Sequence, residues 1–212
     1  IHICAGFRML HQKGFSYQDL NDGNFFINPE NGNVLICDND NVAPFGDSTG
    51  ILGKCRYMAP EVVRGEKRPD TQSDRFSLAV LLFMLFFNNH PLEGERISQC
   101  ACMTEKNEKE LYGNKPLFIY DPGDESNRPV PGIHTNVLGL WGQYPRYVRD
   151  MFIKEFSQEA LLTPTTRITE KQWIEKMLLP LRHDRIICPV CHHEIFIESG
   201  STFVCGDCGR SI

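Results

Sequence analysis

"SYQDLNDGNFF", residues 16–26, sets an aspartate and an asparagine five positions apart just ahead of an apolar run, and "LICDND", residues 35–40, brings two more aspartates after a second apolar run. Asp and Asn tolerate turn backbones, so these residues could merely punctuate a helix-to-strand connection. They are also hard oxygen donors of the kind that hold small divalent cations. The surrounding sequence decides between the two readings.

Upstream, Ile3, Phe7 and Leu10 repeat at helical spacing. That helix is expected to end at "HQKG", with Lys13 facing the negative end of the dipole and Gly14 taking a left-handed cap. Downstream, "NFFI" and "NVLIC" flank "NPENG" and read as a β-hairpin. Asp38 to Met58 is polar, glycine-bearing and without period, and is expected to be a long surface loop. From Thr71 a helix apolar on every face runs to about Phe87, where Asn88, Asn89 and Pro91 stop it, and it predicts the central post of the core. Residues 94–145 are expected to be mostly loop with short helices. "YPRYVRDMFIKEF" and "TEKQWIEKMLL" read as two amphipathic helices, the second started by a Thr169–Gln172 capping box.

Composition excludes several classes. The 41% hydrophobic and 23% charged content of this 212-residue chain is that of a globular protein, not a disordered one. A net charge of −5 gives no attraction to nucleic acid or anionic membrane. The longest apolar run, Phe76 to Phe87, has 12 residues, too few for a bilayer span of about 20. No signal peptide is legible, and the scattered cysteines (Cys4, Cys37, Cys55, Cys100, Cys102) suit a reducing cytosol. With no initiator Met and a helix already under way, the chain is expected to be a piece of something longer.

The spacing Asp19-x-x-x-x-Asn24, a hairpin, then Asp38 resembles the catalytic loop and metal-binding turn of protein kinases. Three further stretches resemble that family in the same order: "YMAPE" (57–61) the end of its activation segment, "SDRFSLAVLL" its central helix, and "TPTTRITEKQW" its last helical region. The resemblance covers residues 1 to about 180 and implies a mainly α fold, the kinase C-terminal lobe with a small β-hairpin, over residues 1–183. It implies Asp19 as the catalytic aspartate, Asn24 and Asp38 as holders of Mg-ATP, Asp74 as the brace of the catalytic loop, and Glu61 paired with Arg167 to pin the activation segment. Asp74 could instead only favour a helix N-terminus. Glu61 and Arg167 could be solvated surface charges, worth about 0–1 kcal/mol as an exposed pair.

Departures are equally visible. Tyr17-Gln18-Asp19 stands where kinases commonly carry His-Arg-Asp, Asp38-Asn39-Asp40 where they carry Asp-Phe-Gly, and Asn21 where serine/threonine kinases carry a lysine. Lys54 replaces the threonine of the activation segment and is a conjectural stand-in for that lysine. Gln18 has no charge with which to clasp a loop phosphate, so a loop carrying Ser48 and Thr49 is expected to organise without one. No Gly-rich phosphate loop or strand lysine lies in the sequence, so the chain alone is expected to be inactive. The implied function of the parent is an ATP-dependent protein kinase acting on a protein hydroxyl, of the Ser/Thr class; the alternative is a pseudokinase scaffold.

At the end, "CPVCHHEIFIESGSTFVCGDCG" places Cys188 and Cys191 thirteen intervening residues before Cys205 and Cys208. Two CxxC knuckles predict a Cys₄ Zn²⁺ ribbon over residues 186–212, with "EIFI" and "TFV" as its strands. Four free or disulfide-bonded cysteines are the alternative, and His192 and His193 are expected to be exposed rather than ligands. Glu194, Glu198 and Asp207 against Arg210 leave a side-chain balance of −2, which disfavours nucleic acid. A kinase-like unit followed by a zinc ribbon, together with "LYGNKPLFIYDPGDESNRPVPG" (111–132) and the W…P…F…F spacing after it, resembles the kinase members of bacterial tellurite-resistance-associated phosphorylation triads. That resemblance implies bacterial signalling on protein substrates, with a von Willebrand factor A protein and a metal-dependent protein phosphatase as partners.

Overall fold

In the computed structural model, which describes residues 1–47, 50, 53–197 and 204–211, helices carry most of the regular structure. Ile3, Cys4 and Phe7 lie on one side of a helical turn and are buried in α1, His2–Gln12. The helix stops where the Lys13 N–H reaches the Met9 and Leu10 carbonyls and Gly14 turns the chain at φ +83°, a value only glycine adopts without cost. Four short strands follow: β1 (Phe15–Ser16), β2 (Phe25–Ile27), β3 (Val34–Ile36) and β4 (Ala43–Pro44). The expected hairpin is β2–β3, in the register Phe25↔Ile36, Phe26↔Leu35, Ile27↔Val34. The stretch from Asp38 to Met58 is more ordered than its composition suggests. It contains 3₁₀ turns at Asn39–Asn41 and Cys55–Tyr57, and β4 pairs antiparallel with β1. Those bonds join residues far apart in sequence, which is why no local pattern announces them.

After α2 (Pro60–Val63) comes α3, Thr71–Phe87. Its start is fixed by Asp70, whose carboxylate accepts from the Gln72 and Ser73 N–H groups while the Ser73 hydroxyl accepts from the Asp70 N–H. This capping box contributes about 1 kcal/mol. Six consecutive residues, Leu78 to Phe83, are buried, so α3 is surrounded on all faces. Asn88 closes it in the left-handed conformation at φ 47°.

Around α3 stand α4 (Glu95–Ser98), α5 (Glu105–Glu108), α6 (Thr135–Leu140), α7 (Arg146–Glu155), α8 (Gln158–Leu162), α9 (Glu170–Trp173) and α10 (Leu179–Asp184). Residues 94–145 are short helices and loop, as their glycines and prolines predict, but they are not peripheral. Tyr112, Phe118, Ile119 and Val137 enter the core, and the Phe83 ring meets those of Phe118, Trp141, Phe152 and Phe156. Buried Asn127 replaces missing secondary structure by donating to the Leu92 and Leu117 carbonyls at 3.0 and 2.7 Å. Gly94 packs against the Asn127 carbonyl so closely that a Cβ would stand 1.9 Å from its oxygen.

The two amphipathic helices are present. Val148 and Phe152 face inward from α7, and the Thr169–Gln172 capping box opens α9. The second is longer than its pattern suggested: a π-helical turn, Ile174–Leu178, leads into α10, where Pro180 occupies the first turn. Pro180, which has no N–H to donate, thus falls where the π turn gives way to α10.

Beyond α10 the chain enters β5 (Arg185–Ile187), which pairs with β6 (Glu194–Phe196). The strand facing "EIF" therefore precedes the first cysteine of the pair. Thr202 and Phe203 of the expected "TFV" strand lie outside the described residues, and Val204 makes a single bridge to Ser211. This unit sits against the helices: Phe196 stacks on Tyr144 with ring centroids 5.3 Å apart, and the Ile197 N–H donates to the Asp184 carbonyl at 2.9 Å. Among the described residues no helix is long and apolar enough to cross a membrane.

Candidate active site

The loop carrying Asp19 is shaped from beneath by α3. Asp74, buried one turn into that helix, accepts from the Tyr17 N–H at 2.7 Å and the Gln18 N–H at 3.1 Å. Asp70 already caps the helix, so Asp74 does not serve as a terminus residue. Its bonds hold Gln18 at φ +65°, a left-handed conformation that costs a side-chain-bearing residue about 1–3 kcal/mol. The Asp19 N–H turns back onto the Tyr17 carbonyl at 2.9 Å.

His11, on α1, was not singled out by the sequence. It donates to Asp74 at 2.9 Å and to Glu170 at 2.9 Å, and Glu170 also accepts from Arg75 at 3.0 Å. Burial alone would discharge the imidazole, but the hydrogen bonds and charges of the two carboxylates outweigh it and raise its pKa to about 9. Because 9 lies above the ordinary 6.5, the stabilisation is full below pH 6.5 and disappears as pH rises through 9. Glu155 acts in the same direction. Burial raises its carboxyl to about 8, so folding loses ground as pH rises from 4.5 to 8 and the unfolded carboxyl ionises. Unfolding free energy is therefore expected to fall by roughly 6 kcal/mol between pH 6 and pH 9.5, about half of it from each group. Denaturant titrations at several pH values check this; a His11→Gln variant with the same pH slope as the parent would remove His11 as its source.

Asp19 faces a cluster of amides. Its Oδ1 accepts from Asn21 Nδ2 at 3.2 Å, its Oδ2 from Asn41 Nδ2 at 3.4 Å, and its carbonyl from Asn24 Nδ2 at 3.0 Å. Asn41 is buried, its Oδ1 without a partner among the described residues; no motif announces it, because it falls one residue past the expected metal triplet Asp38-Asn39-Asp40. Across the hairpin the Cys37 N–H, next in sequence to Asp38, donates to the Asn24 carbonyl at 3.0 Å. The Tyr17 hydroxyl donates to the Cys37 carbonyl. Burial first, then the charges of Asp38 and Asp19, push that phenol up to about 12, so it remains a neutral donor. Asp38 has φ 58°, and its exposed carboxylate takes no hydrogen bond from the described residues.

The activation-segment side carries Gly53 and Lys54. Gln18 Nε2 tethers the preceding stretch by donating to the Asp47 carbonyl at 2.9 Å; Ser48 and Thr49 lie outside the described residues. Farther along, Glu61 and Arg167 meet in a bidentate pair with both N···O distances 2.7 Å. The two side chains are 5% and 0% exposed, which overturns the surface-charge alternative. Arg167 also donates to the Gln72 carbonyl at 3.0 Å.

In the unit after α10 the thiols of Cys188, Cys191, Cys205 and Cys208 lie within 4.8 Å of one another and could hold a metal ion. The Cys188–Cys208 and Cys191–Cys205 separations are 3.7 and 3.6 Å. A tetrahedron of thiolates about 2.3 Å from Zn²⁺ has edges of about 3.8 Å. The cysteines are free thiols, and His192 and His193 are exposed and outside the cluster.

Known proteins give this arrangement a context. A serine/threonine-protein kinase of Arabidopsis thaliana (AtPK1/AtPK6) is 32% identical over 97 residues, 44% of this chain and 20% of the relative. A probable serine/threonine-protein kinase PknB of Bifidobacterium longum is 30% identical over 92 residues, 40% and 13% of the two chains. The mitogen-activated protein kinase HOG1 of Candida albicans is 24% identical over 197 residues, 89% of this chain and 50% of the relative. The chain thus spans half or less of the length of these relatives. The family profile described as protein kinase domain matches residues 1–187, which takes in the Asp19 loop, the Asp38 turn, the Glu61–Arg167 pair and all of α3, so this chain belongs to the protein kinase domain family.

Proposed function

We infer that the protein is an ATP-dependent protein kinase that phosphorylates a protein hydroxyl of the Ser/Thr class, and that this chain is its C-terminal lobe followed by a zinc ribbon. The observation that carries the reading is the Asp19 carboxylate, aimed by amides on a loop that Asp74 holds in a strained turn. The donor set fits a hard divalent cation. Asn24 donates to the Asp19 carbonyl, which leaves its amide oxygen as an acceptor, and among the described residues none donates to the Asp38 carboxylate. These two residues would hold Mg-ATP, which supplies the transferable phosphoryl group and the charge that neutralises it. Asp19 orients the substrate hydroxyl and takes its proton. Gln18 fastens the activation segment through Asp47 without a charge, so the loop needs no phosphate.

The four-cysteine cluster fits Zn²⁺ as a closed structural site. The resemblance to the tellurite-resistance triads supports a cytoplasmic bacterial signalling role with a von Willebrand factor A protein and a metal-dependent phosphatase as partners. A second reading, a pseudokinase scaffold, is favoured by the departures in the loop itself: Gln18 and Asn21 where kinases commonly carry charged residues, and Asp38-Asn39-Asp40 in place of the usual metal triplet.

The test is phosphoryl transfer by the full-length protein. Asp19→Asn is expected to lower kcat by about 10²–10⁴-fold, as loss of a positioned base does, while Ser48→Ala, Thr49→Ala together leave it unchanged. Transfer unaffected by Asp19→Asn would overturn the catalytic assignment, and a double mutant as inactive as Asp19→Asn would show that the loop is phosphate-gated.

A further inference from the structure

We propose that Lys54, a residue of the activation segment, is the cation that meets the transferring phosphoryl group, reaching it through the place left open by Asn21. This rests on the kinase reading above. The Lys54 ammonium donates to Asn21 Oδ1 at 3.0 Å, and Asn21 in turn donates to Asp19 Oδ1 at 3.2 Å. A neutral amide therefore links a positive charge to the carboxylate. No carboxylate of the described residues lies within ion-pair distance of Lys54, so its charge is not consumed by the protein. Holding a long, exposed lysine on an amide costs up to about 2 kcal/mol of side-chain freedom, for a single hydrogen bond. The arrangement is better explained by a charge held ready for an anion.

An independent feature fixes where that charge lies. Gly53 has φ +79°, and a Cβ there would come 3.0 Å from Asp19 Oδ1 and 3.3 Å from the Gln18 carbonyl. The activation segment thus lies directly on the catalytic loop, and the residue after the contact is Lys54. Gly23 lies against the same pair: a Cβ there would stand 3.1 Å from Asn21 Oδ1 and 3.8 Å from the Lys54 nitrogen, so only a glycine leaves the Lys54–Asn21 contact uncrowded. The ammonium thus has the reacting carboxylate one amide away.

In the reaction the substrate hydroxyl oxygen forms a bond to the γ-phosphorus, its proton passes to Asp19, and the bond from γ-phosphorus to the β,γ-bridging oxygen breaks with its electron pair leaving on ADP. Lys54 stabilises the charge on the γ-phosphoryl oxygens during that exchange. It has nothing to contact in ADP, and that difference separates its role from a structural anchor.

The experiment compares full-length wild type with Lys54→Met, Lys54→Arg and Asp19→Asn. Calorimetry with Mg²⁺ and either ADP or a β,γ-imido ATP analogue is the binding readout. Lys54→Met is expected to weaken the analogue about tenfold with ADP unchanged, and to lower kcat at saturating ATP by about 100-fold, the usual loss for one transition-state donor. Lys54→Arg is expected to keep the analogue-over-ADP preference and most of kcat. If Lys54→Met weakens both nucleotides equally, or leaves preference and kcat as in wild type while Asp19→Asn is inactive, Lys54 is not the phosphoryl cation. If the full-length protein binds neither nucleotide, or Asp19→Asn transfers as well as wild type, the kinase reading itself fails and this assignment with it.

Discussion

Cys205→Ser is expected to abolish stoichiometric zinc binding and to unfold the ribbon, residues 186–212, while the helices stay folded. The reason is the size of what remains: among the described residues the ribbon's own buried core is Cys188, Ile195 and Cys205, so two of these three are metal-ligand candidates. A core that small cannot offset the entropy of ordering the segment, and domains under about 40 residues generally need a metal or disulfide. Structural Zn²⁺ supplies about 10–16 kcal/mol of apparent binding energy in zinc-finger peptides, and that energy becomes folding energy. Elemental analysis should show one zinc per chain in the wild type and none in the variant. Amide exchange should lose protection in β5 and β6 but keep it in α3. Zinc retained at one per chain by Cys205→Ser would exclude the four-thiolate site.

Arg167→Ala is expected to cost about 3–5 kcal/mol, a large part of a domain's total stability of about 5–15 kcal/mol. The loss is not the intrinsic strength of the ion pair. Removing the guanidinium leaves the Glu61 carboxylate buried at 5% exposure with neither of its two bonds, and it also removes a donor to the Gln72 carbonyl. The guanidinium carbon lies 5.3 Å from the Phe76 ring centroid, so packing is lost as well. Replacing both partners, Glu61→Met with Arg167→Met, should recover part of the stability, because no charge is then stranded. Denaturant unfolding of the single and double variants measures this. A loss below about 1 kcal/mol for Arg167→Ala would place the pair in the surface class.

Parts of this protein are legible without coordinates because they depend on neighbours in sequence. The α3 helix is announced by an apolar run too short for a membrane, α9 by Thr169 and Gln172, the β2–β3 hairpin by its Asn-Pro-Gly turn, and the metal cluster by two CxxC pairs. Each is a local device whose physics closes within a few residues. The resemblance that pointed to Asp19, Asn24 and Asp38 also works at short range, through spacing along one loop and one hairpin.

The rest depends on contacts that close over long stretches of chain. Whether Asp74 caps a helix or braces a loop is settled by the Tyr17 and Gln18 N–H groups, more than fifty residues earlier. Whether Glu61 and Arg167 are surface charges or a buried pair depends on a separation of 106 residues. His11 looks like an ordinary helix-end residue until α9 brings Glu170 beside it, and Asn41 like a loop residue until its amide reaches Asp19. The sequence by itself determined the helices, the hairpin, the cysteine cluster and the residues that could do chemistry, because propensity, capping and motif spacing act locally. The tertiary structure decided which of those residues share an environment: a side chain's charge state and partners are set by burial and by neighbours within about 4 Å, and the chain brings those together only when it folds.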